Sequence, residues 1–514
     1  MGLDLNIIGV AIPRITTELK SLSDIAWYGS AYMLSTTAFQ PLFGNLYKLF
    51  NTKIIYLMSF AIFETGSVIC AAAPTSPVLI FGRAVLGLGA AGILQGTLAI
   101  IAEIVDPNRV PLFQGIVSSS MIASSTLGPV IGGALTQFVS WRWCFWINVP
   151  AGVILLVAVS IVLPFHGNSD HDEDTALSTK LRRIDSIGLI VFLGLITCIL
   201  LVLTWAGQAY PWHDQKIIGL LVGFGILTLL FIYWLVRQGE NALLPPRILR
   251  QRTVYMGFLA LSGFALLSVV IAYYLPIFFQ SAQGVSILQS GLQFIAFIGP
   301  QLAALAITGA IVSQWGHCVP YMILGGIIAT VGAGLLTTVE LSTPTTKWAS
   351  YLVLTGIGTG MGFQIPYMAL PAVLDPRDVT IGNAILGVGY HFAGAVGTAI
   401  GQNLLISGLY VAIPRHADTV SVESVIQAGA TGLANVATSA TELNAIRTAY
   451  VEAVRRTLIL ALAGGILAIP ASCGMEWVNI KLAAEKQLQK HSTENIAEAK
   501  IPEALSKEAA PAPT

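Results

Sequence analysis

The sequence predicts an all-α membrane protein whose chain crosses the bilayer many times. Three observations carry that expectation. Of 514 residues, 55% are hydrophobic and only 10% are charged, with a mean hydropathy of +0.76, whereas soluble domains carry about 25% charged residues. Apolar runs of roughly 20 residues, long enough to cross a hydrocarbon core, recur from the first residues to about Trp477. These runs are continuous and rich in Gly, Ala, Leu and Ile, whereas the strands of a membrane barrel would alternate over about 10 residues.

Taken in order, the runs predict helices at 1–17, 25–47, 54–74, 78–104, 113–138, 144–164, 184–206, 215–237, 253–278, 286–312, 319–339, 347–372, 379–412 and 455–479, fourteen spans in all. The first reaches Arg14 and Glu18 after roughly 16 residues, short for a span. It reads as truncated, or as the end of a helix that starts upstream. The third contains Glu64 within AIFETGS, and the fourth contains Arg83 in LIFGRAVLGLGAAG. The fifth carries LGPVIGG, in which Pro129 removes a backbone donor while Gly128, Gly132 and Gly133 permit close approach and bending. That stretch suits a hinge or sliding contact, or else plain close packing. GLGAAGILQ at Gly87 to Gln95 in helix four is matched by GIGTGMGFQ at Gly356 to Gln364 in helix twelve. Such an internal match is a mark of repeated halves around a central site.

The expected plan is a six-helix half over 1–165, a flexible linker over 166–183 (HGNSDHDEDTALSTKLRR), two inserted helices over 184–237, and a second six-helix half over 253–479. Within the last lies a long outer loop, 413–454, and the chain ends in a disordered cytoplasmic tail, 480–514. Eleven Lys and Arg of the short loops, among them Lys48, Lys53, Arg109, Arg247, Arg250 and Arg252, fall on the side of the termini. Five, namely Arg14, Lys20, Arg142, Lys216 and Lys347, fall opposite. That bias places both termini in the cytoplasm.

Net charge is zero, which offers nothing to nucleic acid. The cysteines Cys70, Cys144, Cys198, Cys318 and Cys473 have no paired spacing and read as packing residues rather than as a metal site or disulfide framework. No Walker loop, zinc-ligand cluster or nucleophile motif is present. The chain is therefore expected to be no enzyme, to use no cofactor or metal, and not to pump with ATP.

Intramembrane charges are costly and usually paired or functional, which makes Asp4, Glu64 and Arg83 the candidates for proton coupling. Asp4 leads, with Arg83 stabilising its charged form and Glu64 in reserve. Their plainer readings are an exposed helix cap for Asp4, a snorkelling or buried ion pair for Arg83 and a packing carboxylate for Glu64. Gln40, Gln95, Asn148, Gln364, Tyr390 and His391 are the candidate substrate contacts; each could instead be a helix-to-helix hydrogen bond.

LDLNIIGVAIPRI in helix one, Gly44 to Lys53 after helix two, Arg83 with Gly87 and Gly89, Gly128-Pro129-x-x-Gly132-Gly133, and WRWCFWINVP at Trp141 to Pro150 together resemble the major facilitator superfamily. The closer likeness is to its fourteen-span drug:proton antiporter branch, in wording most like filamentous-fungal toxin and multidrug efflux members. The resemblance implies a proton-driven exporter of small hydrophobic organic molecules. It would work by alternating access between two six-helix halves, as a monomer in the plasma membrane rather than the vacuolar one. An importer or vacuolar carrier of a nutrient or siderophore, and a non-transporting membrane sensor, are the competing readings. One departure is plain: the family's loop pattern G-x-L-x-D-x-x-G-R-K here reads GNLYKLFNTK, with Lys48 for the acid, Asn51 for the glycine and Thr52 for the arginine. The salt-bridge latch that this loop's charges usually form is therefore in doubt here.

Overall fold

A computed structural model describes residues 2–19, 25–105, 109–163, 185–207, 210–375, 378–428 and 432–482. The expected linker at 166–183 and the tail beyond 482 lie outside the described residues. The long helices are α1 (Gly2–Leu19), α2 (Ile25–Leu49), α3 (Thr52–Ala71), α4 (Ser76–Ile104), α5 (Val110–Phe138), α6 (Trp143–Val162), α7 (Ser186–Trp205) and α8 (Gln215–Gln238). They continue with α9 (Arg252–Ser281), α10 (Ile287–Trp315), α11 (Val319–Leu336), α12 (Thr345–Phe363), α13 (Val379–His416) and α14 (Ala440–Gly474). Past a break at Gln364, α12 is prolonged by a short helix, Ile365–Val373. Among the described residues only two isolated β-bridges occur outside the helices and turns.

Ten of these helices are long and apolar enough to cross a membrane; the other four, α1, α2, α5 and α12, are more polar. The polarity has a pattern. The four carry Asp4, the Ser35-Thr36-Thr37 run with Gln40, Gln114, and Thr355 with Thr359, all buried, as the cost of polar groups facing lipid favours. By contrast α6 and α8 keep only 11% of their spanning windows buried, so they form the lipid-facing rim. The protein is a multi-pass membrane protein.

The packing partnerships recur. α1 packs on α5, α2 on α4, α3 on α4 and α3 on α6; eight helices later α9 packs on α13, α10 on α12, α11 on α12 and α11 on α14. The Gly-rich matches sit in equivalent places. A side chain at Gly87 would strike the Tyr32 carbonyl of α2, and one at Gly89 would come 2.6 Å from Phe63 Cα of α3. Likewise one at Gly356 would strike the Phe297 carbonyl of α10, and one at Gly358 would come 2.7 Å from Ala329 Cα of α11. The two sets meet along two seams, α2 against α13 and α5 against α10. α7 and α8 pair with each other, and α7 leans on α2, where Trp27 and Trp205 meet edge to face at 6.1 Å.

Three local features differ from the expectation. Most of 413–454, expected as an outer loop, is helical: α13 runs to His416, short helices occupy Val422–Ala428 and Leu433–Val436, and α14 starts at Ala440. Hydropathy hid the start of α14 because its first turns are charged, yet the Ser439 cap on Glu442 N (3.2 Å) and the Glu452–Arg456 pair (3.5 Å) favour helix there. At the other end, residues 480–482 belong to the ordered body rather than to a tail, because Ile480 N donates to Gly316 O at 2.9 Å. Finally, Cys473 is exposed rather than packed, while Cys70, Cys144 and Cys318 are buried.

Candidate functional site

A cavity of about 370 Å³ opens among α3, α4, α5 and the break of α12 with α13. Phe60, Phe63, Phe363, Tyr367 and Tyr390 supply aromatic walls, and Gln95, Gln364 and His391 supply polar groups. No Asp, Glu, Lys or Arg is among the described residues that line it. Tyr390 stacks edge-on against Phe363, with centroids 5.1 Å apart. Four of the six candidate substrate contacts, Gln95, Gln364, Tyr390 and His391, thus converge on one space. The two glutamines of the matched Gly-rich segments meet there. Gln40 lies just behind it: its Nε2 is 3.3 Å from His391 Nδ1, across the α2–α13 seam. His391 Nδ1 also lies 2.9 Å from Gly387 O, the carbonyl one turn earlier on α13. The room for Gln40 exists because residue 387 is glycine; a Cβ there would lie 2.7 Å from Gln40 Oε1.

Asn148 goes elsewhere. Its Nδ2 donates to Asp4 Oδ1 at 2.7 Å and to Ser67 Oγ at 3.0 Å, tying α6 to α1 and α3. Asp4 is fully buried, which sets aside the exposed-cap reading. Arg83, 1% exposed, does not snorkel. Its Nε donates to Tyr28 O at 2.7 Å, its Nη1 lies 3.4 Å from Asp4 O, and its guanidinium sits 4.6 Å over the Tyr32 ring. Arg83 therefore binds α1 and α2 through their main chains beside Asp4. Glu64, half-buried on α3, is packed against Gly152 of α6, where any side chain would displace it.

The Gly-Pro motif lies on the face where α5 meets α1. A Cβ at Gly132 would come 2.6 Å from Ile7 O, and Gly128 is also buried. Gly133 is half-buried in the same helix. The tryptophan-rich motif is structural: Trp141 Nε1 donates to Glu18 Oε2 at 2.9 Å, and Arg142 pairs with Glu18 while its Nη2 donates to Ala73 O at 3.2 Å. It clasps the end of α1 to the α3–α4 and α5–α6 turns.

The loop after α2 holds what sequence reasoning missed. Lys48 Nζ is 2.7 Å from Asp378 Oδ1, and Arg247 Nη2 is 2.5 Å from Asp378 Oδ2. Asp378 is 3% exposed and is the residue before α13. Burial pushes its carboxyl up, but the hydrogen bonds and charges of Lys48 and Arg247 outweigh this and leave it below its ordinary 3.8. The salt bridge that the altered loop put in doubt is present with reversed polarity, the base at the end of α2 and the acid just before α13. Asn51, in the place of the family's glycine, caps α3 by accepting from Lys53 N at 3.0 Å. Nothing in the sequence marked Asp378, since a charge in a DPRD turn looks like any solvated loop residue.

Comparisons with known proteins agree with this architecture. The family model described as the Major Facilitator Superfamily matches residues 1–398. The chain is 37% identical over 481 residues to the MFS-type efflux pump MFS1 of Arthroderma benhamiae, covering 94% of this chain and 89% of that one. It is 38% identical to the efflux pump aflT of Aspergillus parasiticus (94% and 93% covered) and 36% identical to the efflux pump roqT of Penicillium rubens (96% and 91%). Among solved structures, the proton:xylose symporter XylE superposes with a TM-score of 0.55 at 14% identity, over 94% of this chain and 95% of that one. The human organic anion transporter MFSD10 superposes at 0.52 with 13% identity, over 90% and 96%; at these identities the likeness concerns the fold. The chain belongs to the Major Facilitator Superfamily.

Proposed function

We propose that the chain is a secondary active transporter that exports small hydrophobic organic molecules in exchange for protons. The observation that carries this reading is the cavity: its uncharged, aromatic lining is drawn from α3–α5 on one side and α12–α13 on the other. An apolar wall with a few convergent polar groups suits a flat neutral ligand, and an anion or cation would find no counter-charge there. The efflux names of relatives at 36–38% identity support export as the direction. In this reading all fourteen long helices span the plasma membrane. The halves α1–α6 and α9–α14 rock about the two seams, both termini are cytoplasmic, and a monomer suffices.

Asp4 carries the proton. It is buried in hydrogen-bonding contact with Asn148 beside Arg83, and Gly2, half a turn earlier on the same helix, lines the cavity. A proton moving down ~100 mV gains about 2.3 kcal/mol, and one pH unit adds about 1.4. Together these support a solute ratio of a few hundredfold.

The test is export of a fluorescent hydrophobic dye from cells expressing the full-length gene, with and without a protonophore, beside an Asp4→Asn variant. The amide keeps an oxygen for Asn148 to bond, so folding is expected to survive. Export should collapse with the protonophore and fail in the variant. Undiminished export by Asp4→Asn removes Asp4 from the role; absence of dye movement by well-expressed wild type removes the broad exporter reading.

A further inference from the structure

One buried carboxylate outside the cavity ties the pair α7–α8 to the α2–α13 seam. Asp185, the residue before α7, is 6% exposed. Its Oδ1 accepts from Gly188 N at 2.7 Å, capping α7, and from Trp234 Nε1 of α8 at 2.8 Å. Its Oδ2 accepts from Leu243 N at 2.9 Å, in the connector over 239–251 that leads from α8 to α9. Leu243 is a bridge: its side chain is buried, and its carbonyl accepts from Asn45 Nδ2 of α2 at 2.9 Å. Four residues on, Arg247 reaches Asp378 just before α13. Ala242, Leu244 and Ile248 are buried in one apolar core with Phe231 and Leu235 of α8 and Ile381 and Ile385 of α13. The connector therefore sits with α13, and the Asn45 bond crosses the seam.

Resting on the reading in which the halves rock about this seam, we propose that α7 and α8 brace it: Asp185 is a positioning residue that holds the connector where Leu243 O receives Asn45 while Arg247 reaches Asp378. α2 is then tied across the seam at two points one turn apart, Asn45 and Lys48. An unanchored loop would gain little from the first tie, since fixing a backbone residue costs about as much as a neutral hydrogen bond returns. The carboxylate meets that cost beforehand, because two of its three bonds go to the rigid helices and bonds to a charged group are the stronger kind. None of the described residues that line the cavity comes from α7 or α8, so the pair acts on the motion rather than on the ligand.

An amide in place of the carboxylate separates these bonds. In Asp185→Asn the remaining oxygen can serve both Gly188 and Trp234, which leaves the new NH2 against the Leu243 N–H, donor facing donor. The opposite orientation would face two donors, so the cap survives and the Leu243 bond is lost. Asn45→Ala removes the other end of the bridge. Both changes are made, singly and together, in full-length protein carrying Thr97→Cys, a cavity-lining position, and Cys473→Ser. A membrane-impermeant maleimide is added from the side of Lys48, and melting curves establish that each variant is folded. Each single variant is expected to label about fivefold faster than the parent, as for one neutral hydrogen bond lost from the closed seam. The double variant should label no faster than the faster single one, because both cut the same bridge.

Unchanged labelling in either folded variant overturns the proposal. So do two effects that multiply in the double variant, which would mark separate packing contacts rather than one bridge. If Asp185→Asn does not fold, Asp185→Ser replaces it, since a hydroxyl still caps a helix but offers no second oxygen to Leu243. Dye export is read separately in cells. Export by the parent with labelling unchanged in the variants sinks the brace alone, and faster labelling in both variants without any export by the parent sinks the exporter reading alone.

Discussion

The reversed latch makes the most direct quantitative prediction. Removing Lys48 takes away one of the two cations on a carboxylate that is 3% exposed. At 2.7 Å the gross attraction is roughly 6 kcal/mol at an effective dielectric near 20. Most of that is offset by desolvation and screening, because the Lys48 side chain is 29% exposed and that of Arg247 is 51% exposed. Breaking a fully buried pair costs about 3–5 kcal/mol and a surface pair about 0.2–1, so this intermediate pair should contribute about 1.5 kcal/mol. If the pair forms only when the α2–α13 seam is closed at this end, its loss shifts the balance toward the open state about tenfold. The assay is maleimide labelling of Thr97→Cys, a cavity-lining position, in a background where the exposed Cys473 is serine. Reagent is added from the side of Lys48. Lys48→Ala and Asp378→Ala should each speed labelling about tenfold, and the double variant hardly more than either alone. The reasoning is refuted if the two effects simply add, with a coupling below about 0.3 kcal/mol. Because the Asp378 carboxyl is held below 3.8, the pair's contribution is complete above that value and lost as pH falls through the lower folded one. The labelling rate of the wild-type latch should therefore be flat from pH 8 to pH 5 as far as Asp378 is concerned.

Other consequences follow from contacts already described. Gly132→Val should force α5 off the Ile7 carbonyl, lowering stability by about 1–3 kcal/mol and slowing transport; an unchanged melting temperature in detergent would contradict the close approach. Gly316→Ala is strained twice, by a φ of 75° and by collision with Asn479, and should cost about 1–2 kcal/mol, seen as a lower melting temperature with normal substrate binding. Trp141→Phe removes one hydrogen bond to a partly exposed Glu18. With the cavity left by the smaller ring at this 1% exposed site added to the lost hydrogen bond, it should cost about 2–4 kcal/mol and leave dye export near wild type, since the clasp lies away from the cavity.

The fold class was legible because its cause is one-dimensional: a bilayer demands long apolar runs, and these can be read directly. So was the convergence of Gln95 with Gln364, because an internal match at Gly87 to Gln95 and Gly356 to Gln364 carries its own geometry, equivalent glycines seating equivalent helices. The helical start of α14 was not legible, since capping and i,i+4 pairing hold it where hydropathy reports a loop. The role of Asn148 was hidden for a different reason. Its partner Asp4 is 144 residues away, and only the packing of α6 against α3 and α1 decides whether a polar side chain faces a cavity or another helix. Asp378 shows the same limit in a turn, where burial by two distant cations turns an ordinary loop acid into a cross-seam tie.

In the proposed reading, in which Asp4 carries the proton, the positions of these groups along α1 and α5 supply the link that coupled transport would require. Gly2 lines the cavity and Asp4 follows half a turn later on α1. On α5, Met121 and Ser124 line the cavity, and Gly128 and Gly132 follow at one and two turns, where Gly132 would meet Ile7 of α1. One helix pair thus carries cavity wall at one end and a side-chain-free contact further along, with the buried carboxylate between them. Glycine contacts resist sliding little, because no side chain interlocks across them, whereas the Asn148–Asp4–Arg83 cluster prefers one register of α1 against α6 and α4. Neutralising Asp4 weakens that preference, since a charge-assisted hydrogen bond is roughly twice as strong as a neutral one. On that proposal a shift of α1 along the glycine face of α5 would move Gly2 at the cavity wall, so that protonation and substrate occupancy would bias the same motion without direct contact between proton and ligand.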